Sequence, residues 1–255
     1  MKKAKELFDL SGTVALVTGA SGGLGGRFVR ALAANGARVA AAARSPERLD
    51  RLVSEVQGAG GAAGAFRLDV TDRASIASAF DAVEAEWGRV TLLVNNAGIG
   101  HGDRAVDLPP ETWRQVLGVD LDGPFHVMQE FARRLISAEQ GGAIVNISSV
   151  LGFRADKGVA AYAAAKAALI QVTRAVALEW ARYDIRVNAI APGWFPTAMN
   201  RDYLASEGGE ALKKTIPMRR FGEEHDLDGA LLLLSSKAGA FMTGTTIVVD
   251  GGQTV

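Results

Sequence analysis

Short apolar runs rich in alanine, valine, isoleucine and leucine alternate with longer helix-like stretches along the chain. The runs lack an alternation of apolar and polar residues, which is typical of strands buried on both faces of a parallel sheet. This order predicts an α/β fold with a Rossmann-like, doubly wound, parallel seven-stranded sheet and helices on both faces. The predicted strands cover residues 13–18, 37–43, 65–69, 91–95, 143–148, 186–190 and 246–250.

The stretches between these runs predict the helices and the domain organisation. Asn35-Gly36 is typical of a helix end, and Ser45-Pro46 is typical of a helix start. No linker, repeat or low-complexity tract interrupts the pattern, so we expect one domain over residues 1–255. Residues 194–221 follow the carboxyl end of a predicted strand, where ligands bind in such sheets, and are predicted to form a substrate lid. The predicted helices cover residues 24–35, 46–56, 73–87, 111–138, 161–183 and 226–235.

Composition argues against several classes of function. The 28 basic residues equal the 28 acidic ones, so no net charge attracts the chain to nucleic acid or to an anionic membrane. Cysteine is absent and the three histidines have no metal-ligand spacing, so we expect no metal. The amino-terminal lysines precede no apolar signal core, and every apolar run is too short to span a membrane. We therefore expect a cytoplasmic protein without a nucleic-acid or membrane partner.

A glycine-rich loop follows the first predicted strand and leads into a helix. Residues 18–25 have the sequence T-G-A-S-G-G-L-G, with glycines in the spacing G-x-x-x-G-x-G. Glycines let backbone N–H groups approach a phosphate at a helix amino terminus. The strand–loop–helix context therefore predicts a site for the pyrophosphate of a dinucleotide. The predicted contacts are Gly19, Ser21, Gly23, Leu24 and Gly25.

The end of the second predicted strand bears on the choice of nucleotide. It has the sequence A-A-R-S over residues 42–45, without the carboxylate that would bind the ribose hydroxyl of NAD. Arg44 and Ser45 are able to donate hydrogen bonds to a 2′-phosphate. NADP(H) is therefore favoured, with NAD(H) as the second choice. The alternative interpretation is that Arg44 is only a solvated residue at a helix start.

Tyr162, Lys166 and Ser149 form a candidate catalytic set. Tyr162 and Lys166 are four residues apart in a predicted helix, so their side chains share one face. A neighbouring ammonium group favours the phenolate form of tyrosine and suits it to acid–base chemistry. Such a pair is common by chance, but Ser149 stands thirteen residues before Tyr162 at the carboxyl end of a predicted strand.

Taken together, these motifs resemble the short-chain dehydrogenase/reductase family of the single-domain type over residues 11–252. The resemblance includes Asn95-Asn96-Ala97-Gly98, Pro192-Gly193 and Asp250-Gly251-Gly252. It implies an NAD(P)-dependent oxidoreductase acting on a small alcohol or ketone, with a homotetramer or homodimer as the assembly. In the family the serine binds the substrate oxygen, the tyrosine exchanges its proton and the lysine holds the nicotinamide ribose. The resemblance also implies cofactor contacts at Asp69, Val70, Asn95, Ala97, Gly98, Tyr162, Lys166, Pro192, Gly193, Phe195 and Thr197.

Asp120 departs from the family pattern. The family usually has an asparagine at this position, in the helix before the catalytic strand, where it anchors a water of the proton relay. An aspartate can accept a hydrogen bond from that water, but its charge would weaken the effect of Lys166 on Tyr162. We expect a relay role for Asp120, with a structural aspartate that kinks the helix as the alternative.

The substrate is not identified by the sequence. Six residues are predicted to line an apolar pocket, although each is also suited to a core position. A 3-ketoacyl thioester on an acyl carrier protein is an alternative substrate, for which Arg133, Arg134 and Arg182 are candidate docking residues. A non-catalytic NADP-binding regulator on the same fold is an alternative of another class. The predicted pocket residues are Val150, Leu151, Phe153, Trp194, Met199 and Tyr203.

Overall fold

The computed structural model describes residues 3–198 and 200–255. Its strands are β1 (Val14–Thr18), β2 (Arg38–Ala43), β3 (Ala62–Arg67), β4 (Leu92–Asn95), β5 (Gly142–Ile147), β6 (Ile185–Pro192) and β7 (Thr246–Val249). They form one seven-stranded sheet in the order β3-β2-β1-β4-β5-β6-β7, and all neighbouring strands are parallel. The predicted doubly wound sheet is therefore confirmed. The strand order reverses between β1 and β4, which places a crevice at their carboxyl ends.

Helices cover both faces of this sheet. They are α1 (Ala4–Leu7), α2 (Gly23–Ala34), α3 (Asp50–Gly58), α4 (Arg73–Trp87), α5 (Pro110–Leu117), α6 (Gly123–Ser137), α7 (Ala160–Trp180), α8 (Arg201–Leu204), α9 (Glu207–Lys213) and α10 (Asp228–Ser235). Helices α2, α3 and α10 pack on one face, and α4, α6 and α7 pack on the other. Among the described residues, no helix is long and apolar enough to cross a membrane.

The central strands contribute to two hydrophobic cores at once. In β1, Ala15 and Val17 face the core under α2, whereas Val14 and Leu16 face the core under α4 and α6. Because successive strand residues point to opposite faces, a strand covered on both faces needs apolar residues throughout. This burial is the physical reason for the unbroken apolar runs in the sequence.

The third strand lies earlier in the chain than predicted. Its expected bounds were residues 65–69, but β3 covers Ala62–Arg67. Alanine and glycine at its start have weak strand propensity, so the strand is visible only through its pairing with β2. The chain then turns at Asp69, whose carboxylate accepts hydrogen bonds from the backbone and side chain of Thr71.

The single long helix predicted over residues 111–138 is wrong. The structure has α5 and α6 there, joined by a π-helical segment over Gly118–Asp122. A π segment adds residues to a turn without changing the apolar character of the sequence, so helical periodicity does not detect it. Pro124, which has no N–H donor, stands just after this change of geometry. The π segment carries Asp120 into the interior, where it is buried.

The segment predicted as a lid contains short helices and is anchored to the sheet. Helices α8 and α9 lie within residues 194–221. The N–H of Gly222 donates to the carbonyl of Trp194 at 2.9 Å, which closes the segment at its base. The N–H of Met218 donates to the carbonyl of Gly251 at 3.1 Å. These two bonds hold the segment beside the carboxyl end of β6.

Candidate active site

A cleft of about 560 Å³ opens at the carboxyl ends of the central strands. It lies at the reversal of strand order, where open α/β sheets bind their ligands. Most of the predicted cofactor residues border it, although they come from separate parts of the chain. Those on its walls are Gly19, Ser21, Gly23, Leu24, Arg44, Asp69, Val70, Ala97, Gly98, Tyr162, Lys166, Pro192, Gly193, Phe195 and Thr197.

The glycine-rich loop after β1 is fixed against the end of β4. Asn96 Nδ2 donates to the carbonyls of Thr18 and Gly19, each at 3.1 Å. In return, Thr18 Oγ1 accepts the backbone N–H groups of Asn96 and Ala97 at 3.0 and 3.1 Å. Hydrogen bonds within the chain therefore hold the loop in place, with the amino terminus of α2 at the cleft. Such a cradle fits the pyrophosphate of a dinucleotide.

Gly19 allows this close approach. Its φ is +65°, and a Cβ built on it would lie 2.7 Å from the Cα of Ala97. Neither the backbone conformation nor the space tolerates a side chain. A glycine is therefore required here for the loop to meet the end of β4.

Three predicted cofactor residues do not line the cleft. Asn95 is buried in the sheet, where its Nδ2 donates to Asn146 Oδ1 at 3.0 Å and to the carbonyl of Pro124 at 3.3 Å. A Cβ on Gly25 would meet the carbonyl of Gly19, so Gly25 serves helix–loop packing. Ser45 also stands outside the walls formed by the described residues. Asn96 borders the cleft instead. Its position beside Asn95 in the motif is the sequence signal that points to it.

The end of the cleft beside β2 is basic. Arg44 and Arg48 both line it, and both are exposed. Arg48 lies in a 3₁₀ turn over Pro46–Leu49. The sequence predicts an ordinary helix there and does not identify Arg48 as a residue of the cleft. Nearby, hydrogen bonds from Thr71 lower the pKa of Asp69, with smaller contributions from Arg44 and a second arginine. This end of the cleft therefore contains two guanidinium groups that are suited to bind an anion. It also contains the ionised carboxylate of Asp69.

Ser149 and Tyr162 both line the cleft, and Ser149 stands just after β5, with β4 and β1 between that strand and β2. Ser149 precedes a short 3₁₀ turn, and its Oγ accepts the N–H of Leu151 at 3.1 Å. Its hydroxyl proton is thus free to be donated into the cleft. The neighbouring Ser148 instead donates to the carbonyl of Lys166 at 2.9 Å, so its hydroxyl proton is already used. The structure therefore favours Ser149 over Ser148 as the residue that faces a ligand.

Lys166 stands behind Tyr162 on α7 and faces Asp120. Its Nζ is 5.4 Å from the centroid of the Tyr162 ring and 3.1 Å from Asp120 Oδ2. The second carboxylate oxygen, Oδ1, accepts the N–H of Ile99 at 2.8 Å. Burial lowers the pKa of Lys166, but the charges of Asp120 and Tyr162 outweigh it, so the pKa is raised overall. Lys166 is therefore held as an ammonium ion in the wall of the cleft.

Five of the six predicted substrate residues are described by the structure, and none of these five is on the walls of the cleft. Val150 and Leu151 are buried, whereas Phe153 and Tyr203 are exposed. Trp194 packs against Tyr203 with ring centroids 6.0 Å apart and lines a separate cavity. The sixth, Met199, lies outside the described residues. Contact of these residues with substrate stays a prediction.

The fold and the cleft define a class: nicotinamide-dependent oxidoreductases with a doubly wound sheet. Within that class, the chain belongs to the short-chain dehydrogenase/reductase family. A family model described as enoyl-(acyl carrier protein) reductase matches residues 19–254. D-threitol dehydrogenase of Mycolicibacterium smegmatis is 38% identical over 100% of both chains. A 3-oxoacyl-(acyl-carrier-protein) reductase of Thermotoga maritima is 39% identical over 74% of this chain and 76% of the relative.

The solved structures agree with this assignment. A gluconate 5-dehydrogenase from Burkholderia cenocepacia J2315 in complex with NADP and tartrate superposes with a TM-score of 0.94. It is 37% identical, and the alignment covers 99% of each chain. The predicted family, fold and reaction class are thus confirmed: the protein is an oxidoreductase that uses a nicotinamide cofactor and acts on CH–OH groups of small molecules. The alternative of a non-catalytic regulator finds no support among these relatives, which are named as enzymes.

Proposed function

We propose that this protein is an NADP(H)-dependent dehydrogenase/reductase that interconverts a small neutral polyol and its ketose. The observation that carries the proposal is that Ser149, Tyr162 and Lys166 line the same cleft as Arg44 and Arg48. Ser149 follows β5 and the two arginines follow β2, with β1 and β4 between these strands. The first group is suited to proton transfer at a hydroxyl or carbonyl oxygen. The second is suited to a ribose 2′-phosphate.

The chain's own residues provide proton transfer and orientation. When bound, the nicotinamide supplies or accepts the hydride. Tyr162 donates its proton to the substrate oxygen in reduction and takes it back in oxidation. Ser149, with its hydroxyl proton free, stabilises the same oxygen by a hydrogen bond. Lys166 holds the nicotinamide ribose and stabilises negative charge on Tyr162.

The charges in the cleft support a neutral substrate. Among the described residues that line it, the cations are Arg44, Arg48 and Lys166. The two arginines belong to the end beside β2, and Lys166 is paired with Asp120. None of these cations is left to bind a substrate carboxylate beside Ser149. The relative named for D-threitol, a neutral polyol, therefore suits this cleft better than the one named for gluconate.

A 3-ketoacyl thioester is the second candidate substrate, supported by the description of the matching family model. Docking of an acidic carrier protein requires free surface cations. Arg134 is not free, because it pairs with Asp81, Glu84 and Glu130. Of the three candidate docking residues, only Arg133 and Arg182 are exposed. Because Arg134 is not available for docking, the thioester is the weaker candidate substrate.

We also propose a symmetric homodimer or homotetramer. The last strand, β7, is at the edge of the sheet, and Val248 on it is 39% exposed. Leu178 near the end of α7 and Phe241 just before β7 are also exposed. Exposed apolar residues beside an open strand edge suit burial against a second copy.

The one-domain organisation, the lid role of residues 194–221 and the cytoplasmic location stay predictions.

The proposed function is tested by the loss of reduced-nicotinamide absorbance with a panel of carbonyl substrates. The panel contains short ketoses, keto acids matched to them in carbon number, and acetoacetyl thioesters. We expect the highest kcat/KM with NADPH and a ketose, because the matched keto acid brings a carboxylate to a cleft without a free cation for it. Preference for the keto acid or the thioester would replace the proposed substrate class. Turnover of none of them would contradict it.

Removing the two arginines is expected to affect only the phosphorylated nucleotide. In the double variant Arg44→Ala/Arg48→Ala, the Kd for NADPH should rise about 10- to 100-fold, the effect of losing charge-assisted hydrogen bonds. The Kd for NADH should stay the same, since it lacks the 2′-phosphate. Nucleotide fluorescence measures both constants. Arg38→Ala, at the other end of β2, is the matched control, and an equal loss for both nucleotides would contradict the assignment.

A further inference from the structure

Asp120 and Lys166 form an ion pair that solvent does not reach. Asp120 Oδ2 and Lys166 Nζ are 3.1 Å apart, and the two side chains are 0% and 5% exposed. Burial by itself disfavours the charged form of Lys166. Here the carboxylate reverses that effect and raises the pKa of Lys166. The carboxylate therefore keeps Lys166 charged but also cancels its charge.

Among the described residues, the other groups that contact the pair bring no further compensating charge. The titratable groups that act on Lys166 are Asp120, from the π segment, and Tyr162, from its own helix. Strand β5 contributes the carbonyl of Ile147, which accepts a hydrogen bond from Nζ at 3.2 Å. The loop after β4 contributes the N–H of Ile99, which donates to Asp120 Oδ1. With Tyr162 as a neutral phenol, the cluster has no net charge.

We propose that Asp120 is a positioning residue that keeps Tyr162 in its neutral, proton-donating form to higher pH than an uncharged side chain at position 120 would. Ionisation of Tyr162 would give this buried cluster a net negative charge. With an asparagine at position 120, the phenolate of Tyr162 would become the counter-charge of the Lys166 ammonium group, and this pairing would stabilise the phenolate. The carboxylate of Asp120 thus weakens the stabilisation of the Tyr162 phenolate by Lys166.

The Asp120–Lys166 pair would also give the protein a preferred direction of reaction, which rests on the proposed function. In reduction, hydride adds to the carbonyl carbon and the phenol O–H bond breaks as its proton passes to the substrate oxygen. In oxidation, the substrate O–H bond breaks as its proton passes to the phenolate, while the carbon loses its hydride to the oxidised nicotinamide. A cluster that holds the phenol form therefore favours carbonyl reduction near neutral pH and moves alcohol oxidation to alkaline pH.

The test is a pH titration of tyrosinate ultraviolet absorbance, which needs no substrate. The chain has three tyrosines, so Tyr162→Phe in each background isolates the Tyr162 signal. In Asp120→Asn we expect the pH midpoint of that signal to fall by about one to two units, the order for removing one charge from a buried cluster. Asp122→Asn removes an exposed charge two residues along and should leave the midpoint unchanged.

Further variants keep the test decisive. Asp120→Glu retains the charge and should keep the midpoint close to that of the wild type. If Asp120→Asn does not fold, as judged by circular dichroism and Tm, Asp120→Ser gives the same comparison. An unchanged or higher midpoint in the uncharged variant would overturn the proposal, because a merely structural aspartate predicts no fall.

The pH profile of kcat/KM for polyol oxidation provides a catalytic readout. Its alkaline-rising limb should move to lower pH in Asp120→Asn and stay in place in Asp122→Asn. If the absorbance midpoint falls in Asp120→Asn but the alkaline limb of polyol oxidation does not move, the inferred preference for reduction is contradicted. If the wild type oxidises no polyol, the proposed substrate fails, and the absorbance titration still decides the role of Asp120.

Discussion

Replacing Tyr162 with phenylalanine is expected to lower kcat for carbonyl reduction by about 100- to 10,000-fold, the usual contribution of general acid–base catalysis. Tyr162 lines the cleft, and the change removes only its hydroxyl while keeping the ring 5.4 Å from Lys166 Nζ. The Kd for NADPH should therefore stay close to that of the wild type. Steady-state absorbance and nucleotide fluorescence measure the two quantities.

Tyr203→Phe is the matched control for this experiment. Tyr203 lies on α8 and is half exposed, so its substitution removes the same atom at a distance from Ser149 and Lys166. We expect this control to keep the wild-type kcat. A Tyr162→Phe enzyme with the wild-type kcat would remove Tyr162 from the proposed proton transfer.

Gly19→Ala is expected to damage both stability and nucleotide binding. An alanine at φ +65° is strained, and its Cβ would stand 2.7 Å from the Cα of Ala97. These two effects together should lower the free energy of unfolding by about 2–4 kcal/mol. Displacement of the loop from β4 should also raise the Kd for NADPH at least about tenfold. Urea unfolding and nucleotide titration provide the measurements.

Gly229→Ala is the control for a glycine without such constraints. Gly229 is an exposed residue of α10, and a Cβ built there has no neighbour within 4 Å. This substitution should leave stability unchanged or slightly improved, since alanine favours helix. Equal behaviour of Gly19→Ala and Gly229→Ala would show that the loop is free to move away from Ala97.

Several features of the site are visible only in three dimensions. The π segment that buries Asp120 is a change of hydrogen-bond register, which leaves no trace in the spacing of apolar residues. The contribution of Arg48 depends on the 3₁₀ turn that follows β2. The exchange of roles between Asn95 and Asn96 depends on where β4 ends, because adjacent strand residues face opposite ways.

The sequence by itself determined the doubly wound fold, the glycine-rich loop, and the candidate set Ser149, Tyr162 and Lys166. These are encoded locally, in burial patterns along each strand and in short motifs at the strand ends. The tertiary structure alone decided which charges meet: Asp120 with Lys166, and Arg134 with acidic partners that make it unavailable for docking. The physical reason is that electrostatic interaction depends on distance and burial across elements far apart in sequence.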